Sequence, residues 1–166
     1  MMGNYAKIMS FDEIDKIRDQ IGRLVCTSGG YDPLHPGHTS CLIESKAFGD
    51  TLIAIVNGDS FLRAKKGKPF MDLRTRCLMV SCIREVDIVV PFEIENDNTV
   101  SVALKRLRPN VFTKGGDRSD PTKIPEYPVC EELGIEIKFG IGLSKEWSSS
   151  ILLNEWGEHY KRQDHK

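Results

Sequence analysis

The chain has 166 residues, a formal net charge of −1 and 40% hydrophobic residues, enough for one domain whose core needs no covalent staples. So balanced a charge supplies no field for nucleic acid or an anionic membrane, and no apolar run approaches the roughly 20 residues that span a bilayer. The N-terminal "MMGNYAKIMSFDEID" does not read as a signal peptide, and five cysteines (26, 41, 77, 82, 130) without a C-x-x-C pair predict buried free thiols in a reducing cytoplasm.

In chain order, "SFDEIDKIRDQIG" (10–22) opens with a capping box, Ser10 and Glu13, and sets Phe11, Ile14, Ile17 and Ile21 on one helical face. "RLVCTS" (23–28) reads as a short buried strand, "HTSCLIESKAFGD" (38–50) as a helix closed by Gly49, and "TLIAIVN" (51–57) as a second strand. Strand, helix and strand within 24–57 match one βαβ unit, so the two strands should run parallel. "RAKKGKP" (63–69) is expected as a basic loop, "LRTRCLMVSCI" (73–83) as a helix and "VDIVVPF" (86–92) as a strand. "TVSVALKRLRP" (99–109) places Val100, Ala103, Leu104 and Leu107 on one face with Pro109 as a stop. "NVFTKGG" (110–116) is a strand entering a glycine turn, and "CEELG" then "IEIKFG" (130–140) a helix end and a strand. A last helix, "SSILLNEWGEHY" (149–160), leads into a charged tail, 158–166, expected to fray. Five strand candidates alternating with helices predict a single α/β domain over 1–166, a Rossmann-like doubly wound sheet of about five parallel strands with helices on both faces.

In that architecture chemistry collects at the carboxyl ends of the strands. There lie "TSGGYDPLHPGH" (27–38), "KGGDRSD" (114–120) and "SKEWSSS" (144–150). In the first, Gly29 and Gly30 permit positive φ and close approach of backbone amides to an anion. Pro36 and Gly37 lead into a helix N-terminus, and His35 and His38, three residues apart, project from the same side of that first turn. Ring N–H donors, amides and a helix dipole suit phosphate better than a metal, since no Cys or Glu stands nearby at ligand spacing.

G-[YF]-D-x-x-H-x-G-H after the first strand resembles the signature of the cytidylyltransferase-like nucleotidyltransferases. The resemblance runs over roughly residues 7–153. It is closest to the adenylyltransferase domain of bacterial ADP-heptose synthase, through "KIM", "GDTLIAIVNGD", "RAKKGKP", "VDIVVPFE" and "RPNVFTKGGD" in the same order. Glycerol-3-phosphate cytidylyltransferase is similar but more distant. The resemblance implies attack by a substrate phosphate on the α-phosphate of a nucleoside triphosphate, ATP or CTP, with Mg²⁺ and release of pyrophosphate. It implies His35, His38, Lys66 and Arg76 as catalytic groups. Gly30, Tyr31, Asp32 and Gly37 would lie around the phosphates, and Lys114, Gly115, Gly116 and Asp117 beside the nucleotide. Ser148, Ser149 and Ser150 match a second phosphate site at a helix N-terminus, where Ser148 also reads as an ordinary N-cap. Asn57, Asp59, Arg118 and Tyr127 are substrate-binding candidates, and no metal ligand is assigned to a side chain.

Departures bear on the acceptor. Leu143 stands where glycerol-type enzymes carry an Arg, as in the heptose type; Arg118 replaces an aromatic; Trp147 occupies a position usually held by a smaller residue. The segment "SDPTKIPEYPVCEELG" (119–134), with two prolines before Tyr127 and one after it, is a candidate acceptor-facing loop. The leading expectation is a stand-alone enzyme joining a heptose 1-phosphate-like sugar 1-phosphate to the α-phosphate of ATP, any sugar kinase being a separate protein. CTP transfer to glycerol 3-phosphate or another polyol phosphate is the alternative, and a non-catalytic nucleotide sensor a third reading. The family also implies a homodimer.

Overall fold

Strands that are apolar on both sides demand cover on two faces of a sheet, and the chain supplies it. The computed structural model describes residues 5–95, 99–116, 120–144 and 146–163. Its strands are β1 (Lys7–Ile8), β2 (Leu24–Gly29), β3 (Thr51–Asn57), β4 (Ile88–Phe92), β5 (Val111–Gly115) and β6 (Glu136–Ile141). They form one sheet in the order β1-β4-β3-β2-β5-β6, with every pair parallel. The helices are α1 (Phe11–Asp15), α2 (Pro36–Ser45), α3 (Asp59–Lys66), α4 (Leu73–Ser81), α5 (Ser101–Leu107), α6 (Tyr127–Leu133) and α7 (Ser149–Gln163).

Alternate strand residues feed two cores. Val25, Leu52, Ala54, Val56 and Val89 pack with Leu42 of α2 and with Cys77 and Val80 of α4. Their neighbours Cys26, Ile53, Ile55, Ile88 and Val90 pack on the other face with Ile14 of α1, Leu104 and Leu107 of α5, and Val129 of α6. The sheet is therefore doubly wound, with six strands among the described residues. The chain moves outward from β2 through β3 to β4, then returns to the far side of β2 for β5 and β6. The reversal between β2 and β5 opens a crevice at their carboxyl ends.

Four expectations change. β1 is an edge strand too short for any period-two signal. The first helix keeps its capping box but stops at Asp15, and a 3-10 turn over Arg18–Gln20 comes next. Residues 59–66, with the start of the expected basic loop, form α3, whose N-terminus is capped by the Glu93 carboxylate accepting from the Asp59 and Ser60 amides. Finally, α7 continues through Gln163, over the first part of the tail expected to fray, and 164–166 lie outside the described residues. The i, i+4 contacts Arg162–Glu158 and Gln163–His159 hold its last turn. Cys26, Cys41, Cys77 and Cys130 are buried free thiols, while Cys82 is exposed. No helix among the described residues is long and apolar enough to cross a membrane.

Candidate active site

The loop leaving β2 is shaped by what its glycines lack. A Cβ on Gly29 would stand 3.0 Å from the Tyr31 ring, and one on Gly30 2.9 Å from Leu62. Neither glycine takes positive φ; the left-handed residue is Tyr31, at φ 52°. The expectation of positive φ at these two glycines is thus corrected: what a side chain there would meet is crowding against Tyr31 and Leu62. The buried Tyr31 ring meets His38 edge-on at 5.1 Å.

Pro36 starts α2, which leaves His35 as its N-cap in extended backbone. The His35 and His38 rings stack at 3.7 Å between centroids. Gly37 permits this, since a Cβ there would lie 3.2 Å from the His35 ring. Burial pushes the His38 imidazole down to about 3, with His35 and Lys65 adding repulsion. Burial likewise lowers His35, against an opposing backbone hydrogen bond. Both rings are therefore neutral near pH 7. Each Nδ1 is shut off from solvent with no hydrogen bond of good geometry among the described residues, and a neutral imidazole carries one N–H donor in either tautomer. Two N–H donors thus stand ready without charge.

These rings line a cavity of about 450 Å³ at the crevice between β2 and β5. Of the residues expected there, Gly30, Tyr31, His35, Gly37 and His38 line it from the β2–α2 side, and Asn57 from the end of β3. Lys114, Gly115 and Gly116 enter from β5, and Ser148, Ser149 and Ser150 from the start of α7. The Ser149 hydroxyl donates to the Pro33 carbonyl at 3.0 Å, tying α7 to the histidine loop. Below, Ser45 and Thr113 hydroxyls meet at 2.7 Å, so the wall formed by α2 and β5 is joined by satisfied polar contacts.

Five expected residues lie elsewhere. Lys66 turns away from the cavity, donating to the Asp32 carbonyl at 2.6 Å and pairing with its carboxylate at 2.7 Å. Asp32 also accepts from the Phe70 and Met71 amides, each at 2.7 Å. Burial pushes the Asp32 carboxyl up, but Lys66 and those amides outweigh it and hold it below the usual range. Arg76 is fully buried. It donates to the carbonyls of Met71, Gly30 and Asn57 and pairs with Asp59 at 2.6 Å. Its guanidinium and the Asp59 carboxylate are consumed in bracing the loop, with no fork left for phosphate. Tyr127 borders a separate shallow groove and hydrogen-bonds Glu131. Asp117 and Arg118 lie outside the described residues.

Of the two neighbouring lysines of α3, Lys65 rather than Lys66 lines the cavity, with Nζ 5.8 Å from the Phe61 ring centre. Helical periodicity carried this signal, because Lys65 shares a face with Phe61 and Lys66 with buried Leu62; reading 63–69 as a loop hid it. Glu126 lines the opposite wall and no motif marks it. Among the described residues no three His, Cys, Asp or Glu side chains are placed to hold a metal ion, and Glu126, the only carboxylate lining the cavity, pairs with Lys114. These residues do not fit a resident Mg²⁺.

A family model described as cytidylyltransferase-like matches residues 26–136. The chain is 39% identical over 118 residues to the bifunctional protein HldE of Methylococcus capsulatus, covering 70% of this chain and 24% of that protein. It is 34% identical over 143 residues to HldE of Aliarcobacter butzleri, covering 82% and 29%. The chain thus spans about a quarter of the length of these relatives. The lipopolysaccharide core biosynthesis protein from Thermoplasma volcanium aligns with a TM-score of 0.58 and 26% identity, over 74% of this chain and 97% of that one. Pantoate-beta-alanine ligase from Francisella tularensis, with a TM-score of 0.57 and 12% identity over 86% of this chain and 68% of that one, shares the fold. With two thirds of its length matched, through the strands and loops that build the histidine side of the cavity, the chain belongs to the cytidylyltransferase-like family of nucleotidyltransferases.

Proposed function

We propose that the chain transfers a nucleotidyl group from a nucleoside triphosphate, ATP in the first instance, to a sugar 1-phosphate of the heptose kind. An acceptor phosphate oxygen bonds to the α-phosphorus as the bond from that phosphorus to the bridging oxygen of the β-phosphate breaks, and pyrophosphate leaves. A phosphate nucleophile is already ionised at neutral pH, so no general base is required.

The observation that carries this reading is the stacked, neutral His35–His38 pair at the N-terminus of α2, facing the same cavity as Ser148, Ser149 and Ser150. Two N–H donors, the helix dipole and the serine hydroxyls supply stabilisation for charge moving onto departing phosphate oxygens. Lys65 is the cation of the α3 wall. Mg²⁺ is taken to enter with the triphosphate as part of the substrate. The sequence likeness to the ADP-heptose synthase domain supports a sugar 1-phosphate over a polyol phosphate. The site is also proposed to work within a homodimer.

A matrix of ATP, CTP, GTP and UTP against sugar 1-phosphates and polyol phosphates, read by pyrophosphate release, tests the proposal. Release with ATP and a sugar 1-phosphate, abolished by EDTA, is expected. Turnover confined to CTP with glycerol 3-phosphate would replace the substrate assignment. Tight nucleotide binding without release from any pair would make the chain a nucleotide sensor.

A further inference from the structure

Glu126 has no task in the transfer chemistry, yet it is the only carboxylate among the described residues of the cavity wall. Its side chain is 6% exposed and stands 3.3 Å from Nζ of Lys114. That separation gives Coulomb attraction, but among the described residues Oε2 accepts no hydrogen bond of good geometry although it is shut off from solvent. An ionised carboxylate offers about four acceptor sites, and leaving a buried one empty is costly. An apolar residue would fill the same space without that cost, so the carboxylate points to a ligand that donates to it.

The order β3-β2-β5 divides the cavity into two arms about the histidines of β2–α2. One lies over α3, with Asn57, Phe61 and Lys65, and the other over β5 and α6, with Lys114, Gly116 and Glu126. A carboxylate is the wrong wall for a polyphosphate and a suitable one for neutral hydroxyl donors. Space is available in the same arm: Gly116 sits at φ +82°, and a Cβ there would meet nothing within 4 Å among the described residues. Once the phosphates lie on the histidines and serines, the nucleotide still presents a ribose with two adjacent hydroxyls.

We infer that Glu126 is a specificity-determining residue that accepts hydrogen bonds from the ribose hydroxyls of the nucleoside triphosphate, with Lys114 orienting its carboxylate and offsetting its charge. This rests on the nucleotidyl-transfer reading of the same cavity. Its test is titration calorimetry with ATP, CTP, GTP and UTP, then with the 2′-deoxy and 3′-deoxy forms of the tightest binder. The wild-type chain is expected to prefer the ribonucleotide over at least one deoxy form by about ten- to a hundredfold, the value of a hydrogen bond to a charged acceptor. Glu126→Gln keeps the shape, so it should melt like the wild type while the preference falls toward one. Glu126→Asp, charged but a methylene shorter, should give an intermediate ratio. A Glu126→Gln protein that weakens ribo and deoxy forms alike, with the ratio intact, would make the pair structural and overturn the inference. So would a wild-type chain without any preference, which decides the matter even where both variants fail to fold. Failure of every nucleotide to bind the wild type would instead refute the nucleotidyl-transfer reading, an outcome visible before any variant is made.

Discussion

The chemistry proposed for His35 and His38 rests on their being partly buried, neutral and one turn apart at a helix N-terminus. Removing one preorganised donor of this kind costs about 10²–10³ in rate. His35→Ala and His38→Ala are each expected to lower kcat by about that factor with smaller changes in nucleotide affinity. Asn retains one N–H and should restore part of the loss, and the double variant should fall short of the product of the singles because both donors serve one triphosphate. Steady-state kinetics beside thermal melts check this; an unchanged kcat in folded His38→Ala would exclude the role. Burial of the rings also leaves a pH signature. The His38 imidazole is held at about 3 in the folded chain against an ordinary 6.5, so between those values the unfolded chain binds the extra proton. Stability should rise with pH across that window and be lost as pH falls below 6.5, with His35 contributing in the same sense. Denaturant midpoints from pH 4 to 8 should show a slope that His38→Asn flattens. A pyrophosphate ion against these rings favours their protonated form, so its binding should take up protons, increasingly as pH falls. Calorimetry in buffers of different ionisation enthalpy reads that uptake, and the wild-type excess over His38→Asn reports the ring.

At the scale of elements, Arg76 is a cross-brace: α4 carries it, and its donors reach the end of β3, the loop after β2, the Met71 carbonyl and the start of α3. Lysine cannot span four acceptors from one nitrogen. Arg76→Lys is expected to cost about 2–4 kcal/mol of stability, since it strands buried carbonyls and the Asp59 carboxylate. Its loss of activity should track the loss of folded structure. Lys65→Ala should leave the melting temperature within a degree or two, consistent with the small effects of surface substitutions, while lowering kcat/KM. Chemical denaturation and pyrophosphate release on both variants separate brace from site residue. This division shows what the sequence could carry. Hydrophobic period and turn residues were sufficient for β2 through β6, for α2 and α4 to α7, and hence for the strand ends where the cavity lies. They separate Lys65 from Lys66 only once 59–66 is read as a helix, and that reading is hard to reach because α3 is short, amphipathic and capped from outside by Glu93, a residue distant in the sequence. Nor could they show that Arg76, an apparent phosphate binder, is fully buried among carbonyls, since those acceptors are backbone groups that carry no residue signature. Glu126 was silent for the same reason: only packing brings α6 to Lys114.

Across the whole molecule, the family match ends at residue 136, yet Leu143, Ser144, Trp147 and the three serines after it line the cavity. The chain after β6 crosses α2, where the Gly142 amide donates to Glu44 at 2.8 Å and the Leu143 amide to Ser40 at 3.0 Å. It then delivers Ser148, Ser149 and Ser150 to the cavity at the head of α7. Helix α7 itself, 15 residues long, has no buried residue, and Trp156 and Tyr160, one turn apart, are 67% and 61% exposed. A helix of this length is marginal in water unless one of its faces is packed. The proposed homodimer offers that packing through α7 against its copy, an isologous contact in which one aromatic pair meets the other. Light scattering at micromolar concentration is expected to give twice the chain mass, and a Trp156→Glu, Tyr160→Lys variant half of that. Because Ser149 anchors the N-terminus of α7 to the Pro33 carbonyl, loosening the helix should also be felt at the phosphates. The monomeric variant should show a raised KM for the triphosphate with kcat changed less, and its circular dichroism should lose about the signal of one frayed helix. A wild-type chain that is monomeric at that concentration would remove the dimer. A monomeric variant with unaltered KM would show instead that α7 holds its serines in place without a partner.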